Sequence, residues 1–118
     1  MLNIDLSNRI VVVTGASGDL GRVMVRTLAK CGADVAVHYL QNQAKADELV
    51  AEITEMGVRG VAVQADITQL DSIMVMRDQI REALGDPNII VNNAVIQYNW
   101  VSILEQDEAD YEGQFRSC

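Results

Sequence analysis

The feature that most narrows the fold is an apolar run that ends in a glycine cluster and restarts at helical spacing. Arg9 to Thr14 reads Arg-Ile-Val-Val-Val-Thr, and Gly15-Ala16-Ser17-Gly18-Asp19-Leu20-Gly21 follows directly. A β-branched run without polar alternation suits a strand buried on both faces, the condition of a parallel sheet covered by helices. Beyond the glycines, Leu20, Val23, Met24, Leu28 and Cys31 recur at helical spacing, and Gly32 offers a stop. Strand, tight turn and helix in this order open a βαβ unit.

The pattern then repeats. Asp34 to Tyr39 predicts a second strand, and Ala46, Leu49, Val50 and Ile53 mark one face of a helix that ends at Gly57. Gly60 to Ala65 predicts a third strand. Thr68 is the expected cap of the next helix, with Asp71 at the reciprocal capping position; Ile73, Met76, Ile80 and Leu84 form its buried stripe before Gly85 and Pro87. Asn88 to Asn92 predicts a fourth strand. Ile96 to Gln106 has no clear period, and Asp107 is expected to cap a helix that carries Tyr111 and Phe115 and runs to Cys118. Strands alternating with helices imply crossover connections and an α/β, doubly wound parallel sheet of about four strands. At 118 residues, 1–118 form one domain with one core.

Composition removes several functions. Nine Lys and Arg against 17 Asp and Glu give a net charge of -8, which opposes binding to nucleic acid and to anionic lipid. No basic segment leads into a long apolar run, so neither a signal peptide nor a membrane span is expected, and a cytoplasmic location follows. Cys31 and Cys118 lack the spacing of a zinc or redox pair and are expected as free thiols. With His38 the only histidine, no metal site is expected.

The glycine turn stands where backbone N–H groups and a helix dipole favour an anion. Three motifs follow in order: Thr14-Gly15-Ala16-Ser17-Gly18-Asp19-Leu20-Gly21, then Asp66-Ile67 after the third strand, then Asn92-Asn93-Ala94 after the fourth. All three lie at strand carboxyl ends, around one crevice at the topological switch point. On these motifs the chain resembles the short-chain dehydrogenase/reductase family over essentially its whole length, most closely the branch that reduces 3-oxoacyl thioesters. The resemblance implies a Rossmann-type fold and NAD(P) binding. It gives Gly15, Ser17, Leu20 and Gly21 to the pyrophosphate and ribose, Asp66 and Ile67 to adenine, and Asn92 and Ala94 to the nicotinamide ribose. Substrates would be small carbonyl or alcohol compounds.

The sequence departs from that pattern in places. Asp19 replaces the middle glycine, although Gly15, Gly18 and Gly21 keep the spacing of the family's extended branch. Its carboxylate either suits the helix N-terminus or repels a pyrophosphate, by about 4 kcal/mol for charges 4 Å apart near a protein surface. Val95 stands where the family has a glycine. His38-Tyr39-Leu40-Gln41-Asn42 contains no acid for a ribose 2′-hydroxyl, while Ser17, Tyr39 and Asn42 can donate hydrogen bonds, so NADP is expected ahead of NAD. His38 itself is expected to pack at the strand end.

Hydride chemistry also needs a proton donor. The family supplies a Ser and a Tyr-x-x-x-Lys pair, and this chain has no Tyr-x-x-x-Lys: Gln43, Ser102 and Phe115 follow Tyr39, Tyr98 and Tyr111 at that spacing. Aligned without gaps from Asp110-Tyr111, Cys118 falls where the family has a catalytic Asn. No catalytic residue is therefore assigned, and these residues alone are expected to be inactive, as the cofactor half of an oxidoreductase of about 250 residues by the resemblance. A bare fourth strand invites pairing, so these residues are expected either to associate with another chain or, the favoured alternative, to be the ordered part of the longer enzyme; the resemblance implies a homo-oligomer. The other reading is a nucleotide-binding module without catalysis, which Asp19 and Val95 support.

Overall fold

The computed structural model describes residues 2–96 and 100–117. Among the described residues eight elements follow the predicted alternation: β1 (Ile10–Val13), α1 (Asp19–Lys30), β2 (Asp34–Tyr39), α2 (Gln43–Glu55), β3 (Gly60–Gln64), α3 (Leu70–Ala83), β4 (Ile89–Val91) and α4 (Glu108–Ser117). The strands form one sheet in the order β3-β2-β1-β4, and every pairing is parallel. The chain moves outward from β1 to β3, then returns past its starting point to lay β4 on the other side. That reversal puts the carboxyl ends of β1 and β4 side by side, which is where an open α/β sheet gapes.

Alternation along the strands divides the core. Val11, Val13, Val35 and Val37 point to one face, where Val25 and Ala29 of α1 and Ala46, Leu49 and Ile53 of α2 cover them. Val12, Ala36, Val63 and Ala65 point to the other, under Met76, Ile80 and Leu84. Helices on both faces make the sheet doubly wound, and the central strands are buried twice over, as their unbroken apolar sequences require.

Two local expectations need correction. Thr68 does not cap α3: the N-cap is Gln69, without a side-chain bond, and the Thr68 hydroxyl donates instead to the Asp66 carboxylate at 2.6 Å. The aspartate two residues earlier competes for that hydroxyl and wins, because its turn forms locally. The buried face of α1 runs through Gly21, Val25 and Ala29, with Met24 and Leu28 half-buried beside it, while Leu20 and Val23 stay exposed. Small side chains at four-residue spacing let α1 approach the sheet closely; the larger apolar ones fall outside that contact.

Asp34 starts β2 and ties it to β3, accepting from the Arg59 amide at 2.8 Å and from the Arg59 guanidinium at 2.8 and 3.1 Å. Arg59 is half in solvent, so the ion pair alone is worth little. Asp34→Ala is therefore expected to cost more than Arg59→Ala, about 1 kcal/mol against about 0.5 kcal/mol, because the former removes the hydrogen bond to the Arg59 backbone amide as well as the ion pair. Urea unfolding of the two variants checks the order.

Candidate functional site

The crevice begins at the glycine turn. Gly15 adopts φ +62°, and a side chain there would meet Ala94 Cα at 2.8 Å, so the turn after β1 and the segment after β4 are in backbone contact. The next turn closes by the Gly18 N–H donating to the Gly15 carbonyl at 3.1 Å. Gly18 then caps α1 in extended conformation with no side-chain bond. The first N–H groups of a helix have no partner inside it, and here the cap supplies none, leaving the amides of Asp19, Leu20 and Gly21 as donors at the positive end of a twelve-residue dipole.

Thr14 and Asn93 join the two strand ends. The Thr14 hydroxyl accepts from the Asn93 amide at 2.9 Å and the Ala94 amide at 3.0 Å, and it donates to the Val91 carbonyl at 3.4 Å. The Asn93 side chain returns the contact, donating to the carbonyls of Thr14 and Gly15 at 3.1 and 3.2 Å. On the far side of β1, His38 Nδ1 accepts from the Gly15 N–H at 2.9 Å. After β3, the Asp66 carboxylate accepts from the amide and hydroxyl of Thr68, which hold its pKa below the ordinary carboxylate value. The Asp66 amide donates to the Ser72 hydroxyl of α3 at 2.8 Å, fixing the turn.

The crevice so formed has a volume of about 590 Å³, within the range of small-molecule sites. It brings together Gly15, Ser17, Asp19, Leu20 and Gly21 with Asp66, Ile67 and Ala94, all expected from sequence. It leaves out Tyr39 and Asn92. Tyr39 shares the parity of Val35 and Val37 and is packed into the core under α1 and α2; its neighbours Leu40, Gln41 and Asn42 line the crevice instead. Asn92 faces solvent, and Asn93 takes the inward position. Ser117 also lines the crevice, its hydroxyl accepting from the Ile96 amide at 2.8 Å and so docking α4 beside the β4 end. Cys118, aligned with a catalytic Asn, and Tyr98 lie outside the described residues.

Charge in the crevice is milder than the sequence implies. The Asp19 side chain is 98% exposed and pairs with the Arg22 guanidinium at 2.5 Å one turn along α1. Among the described residues no cluster of three or more His, Cys, Asp or Glu could hold a metal, and no helix is long and apolar enough to cross a membrane.

Known proteins are similar to this chain in sequence and fold. The family model described as short chain dehydrogenase matches residues 9–116. A 3-oxoacyl-[acyl-carrier-protein] reductase, FabG, of Staphylococcus epidermidis is 34% identical over 104 residues, 87% of this chain and 43% of its own length. The short-chain dehydrogenase/reductase homolog YusS of Bacillus subtilis is 37% identical over 93 residues, 79% of this chain and 85% of its own. The crystal structure of the angucycline C-6 ketoreductase LanV with bound NADP superposes with a TM-score of 0.85 at 28% identity, over 97% of this chain and 46% of that one. The chain thus spans under half the length of the two reductases and most of the Bacillus homolog.

Proposed function

The chain belongs to the short chain dehydrogenase family, and from that premise we propose that residues 1–118 form an NAD(P)-binding domain, NADP preferred, serving carbonyl or alcohol oxidoreduction by hydride transfer. The observation that carries this reading is the cluster of helix-start amides at Asp19, Leu20 and Gly21, uncapped by any side chain among the described residues and facing a crevice open between β1 and β4. An anion fits such a place. Gly15 and Gly21 keep it clear, since a Cβ on either would push into the loop backbone or the β4 turn.

In this reading Gly15, Ser17, Leu20 and Gly21 would hold the pyrophosphate and ribose. Asp66 accepts from the adenine amino group and Ile67 packs beside it, while Ala94, braced by Asn93, borders the nicotinamide side. The absence of an acid among Leu40, Gln41 and Asn42 leaves room for a 2′-phosphate and supports NADP over NAD. Bound there, the nicotinamide would supply or accept the hydride. The 118 residues contain no Tyr-x-x-x-Lys, so turnover by them alone is not expected. Homo-oligomers in the cytoplasm, with β4 as the edge that needs covering, complete the reading. A second reading, a nucleotide-holding module without its own chemistry, is favoured by the YusS homolog, 85% of which the alignment covers.

Calorimetric titration with NADPH and NADH tests the proposal: NADPH is expected to bind more tightly, and no binding of either would overturn it. Because Arg22 already compensates the Asp19 carboxylate, Asp19→Gly is expected to strengthen NADPH binding by less than about tenfold. A gain of about a hundredfold or more would mean that the carboxylate blocks the diphosphate.

A further inference from the structure

One buried ring joins both halves of the crevice without belonging to any of its motifs. His38 is 2% exposed and lies on the α3 face of β2, in file with Ala36. Its Nδ1 accepts from the Gly15 N–H at 2.9 Å, and its Nε2 stands 2.8 Å from the Ala65 carbonyl. A carbonyl only accepts and an amide only donates, so the two contacts together require the neutral ring with hydrogen on Nε2. The His38 carbonyl also accepts from the Ala16 amide at 2.9 Å. One residue therefore holds two successive amides of the glycine turn and the residue preceding Asp66.

We infer that His38 is a positioning residue of the dinucleotide site: its ring fixes the distance between the glycine turn and the adenine-side turn, and that distance sets affinity for the dinucleotide. This rests on the reading of the crevice given above. A protonated ring would carry hydrogen on Nδ1, facing the Gly15 N–H, and two donors cannot share a 2.9 Å separation. The turn would then have to move off the ring.

The surroundings favour the neutral ring. β1, β3 and β4 carry no titratable side chain, and α3 lays Met76 and Ile80 on this face while Asp71, Asp78 and Arg81 stay exposed. Arg77 pairs with Asp78. At the crevice, Asp19 is paired with Arg22 and turned to solvent, and the Asp66 carboxylate is engaged by Thr68. Burial pushes the His38 pKa below the ordinary imidazole value, against the opposing pull of the Ala65 carbonyl. Because the folded ring resists protonation, its contribution to stability is complete above about pH 6.5 and is lost as pH falls through the lowered native value.

The test follows NADP⁺ affinity and the His38 ring together between pH 8 and pH 5. NAD⁺ is titrated alongside, because it lacks a 2′-phosphate whose own ionisation near pH 6 would mimic the effect. Both dinucleotides are expected to lose about tenfold in affinity as the ring protonates, with the Gly15 amide resonance moving at the same pH as the His38 ring nitrogens. His38→Asn, whose side-chain oxygen can accept from Gly15, should bind within about threefold of the unmodified chain at pH 8 and show no acid step. His38→Leu should lose about tenfold at pH 8 with helical and strand content intact. Affinity that stays constant while the His38 ring protonates, or His38→Leu binding as tightly as the unmodified chain, would overturn this inference alone. Failure of the unmodified chain to bind either dinucleotide at pH 8 would overturn the site reading and this inference with it.

Discussion

Gly21→Ala is expected to reduce NADPH affinity at least about a hundredfold and to lower the unfolding midpoint by roughly 4–12 °C. A Cβ at this position would collide with the Gly15 carbonyl oxygen and stand 2.7 Å from Ala16 Cα and 3.0 Å from the Asn93 side-chain nitrogen. Two of those three neighbours are backbone, so no rotamer change relieves the clash, and the loop itself must shift. Overpacking of this kind costs about 1–3 kcal/mol, which sets the expected fall in midpoint for a domain of this size. Binding suffers more than stability because the displaced backbone is the proposed phosphate cradle. Gly18→Ala is the contrast: its Cβ would meet Gly15 O at 3.4 Å, an ordinary contact, and Gly18 has no positive φ. That variant should unfold within about 1 kcal/mol of the unmodified chain. Thermal melts with calorimetry on both variants check the pair, and a Gly21→Ala chain that bound NADPH as tightly as the unmodified one would remove the cradle from the explanation.

The contrast between these glycines marks how far the sequence can be read. The glycine spacing identifies a tight turn and an anion-binding helix start, because that chemistry is local: which residue follows which decides it. The strands were legible for the same reason, since Ile10–Val13, Asp34–Tyr39 and Gly60–Gln64 are short β-branched runs bounded by turn residues. Parity was harder. A strand buried on both faces shows no alternation, so nothing in His38-Tyr39 says which side chain enters the α1 and α2 core and which turns to the crevice; the register of β2 between β1 and β3 decides it. Ile89, Ile90 and Val91 show no alternation either, although Ile90 is exposed, and Asn93 rather than Asn92 faces the crevice. In α1, the larger apolar residues mark one edge of the buried face, whereas Gly21, Val25 and Ala29 make the close approach. His38 and Thr14 carry hydrogen bonds to partners 23 to 80 residues away, and no local pattern records such a partner.

Thr14 provides the second large effect. Thr14→Val is expected to destabilise the fold by about 2–4 kcal/mol and to weaken NADPH binding by about tenfold. The hydroxyl is 8% exposed by residue and fully used: one hydrogen given to the Val91 carbonyl, two lone pairs taken by the amides of Asn93 and Ala94. Valine keeps the shape but removes all three contacts, leaving two partly buried N–H groups without their acceptor, each worth about 1–3 kcal/mol. Their loss falls on the joint between β1 and β4. Ala94 backs directly against Gly15 there, so a loosened β4 turn no longer braces the glycine turn from the nicotinamide side. Thr14→Ser keeps the hydroxyl and gives up only a methyl group, at about 1 kcal/mol, and should bind NADPH nearly as the unmodified chain does. Guanidinium unfolding separates the two variants: if Thr14→Val proved as stable as Thr14→Ser, packing rather than hydrogen bonding would hold the β4 turn, and the crevice would owe its width to Gly15 and Ala94 alone.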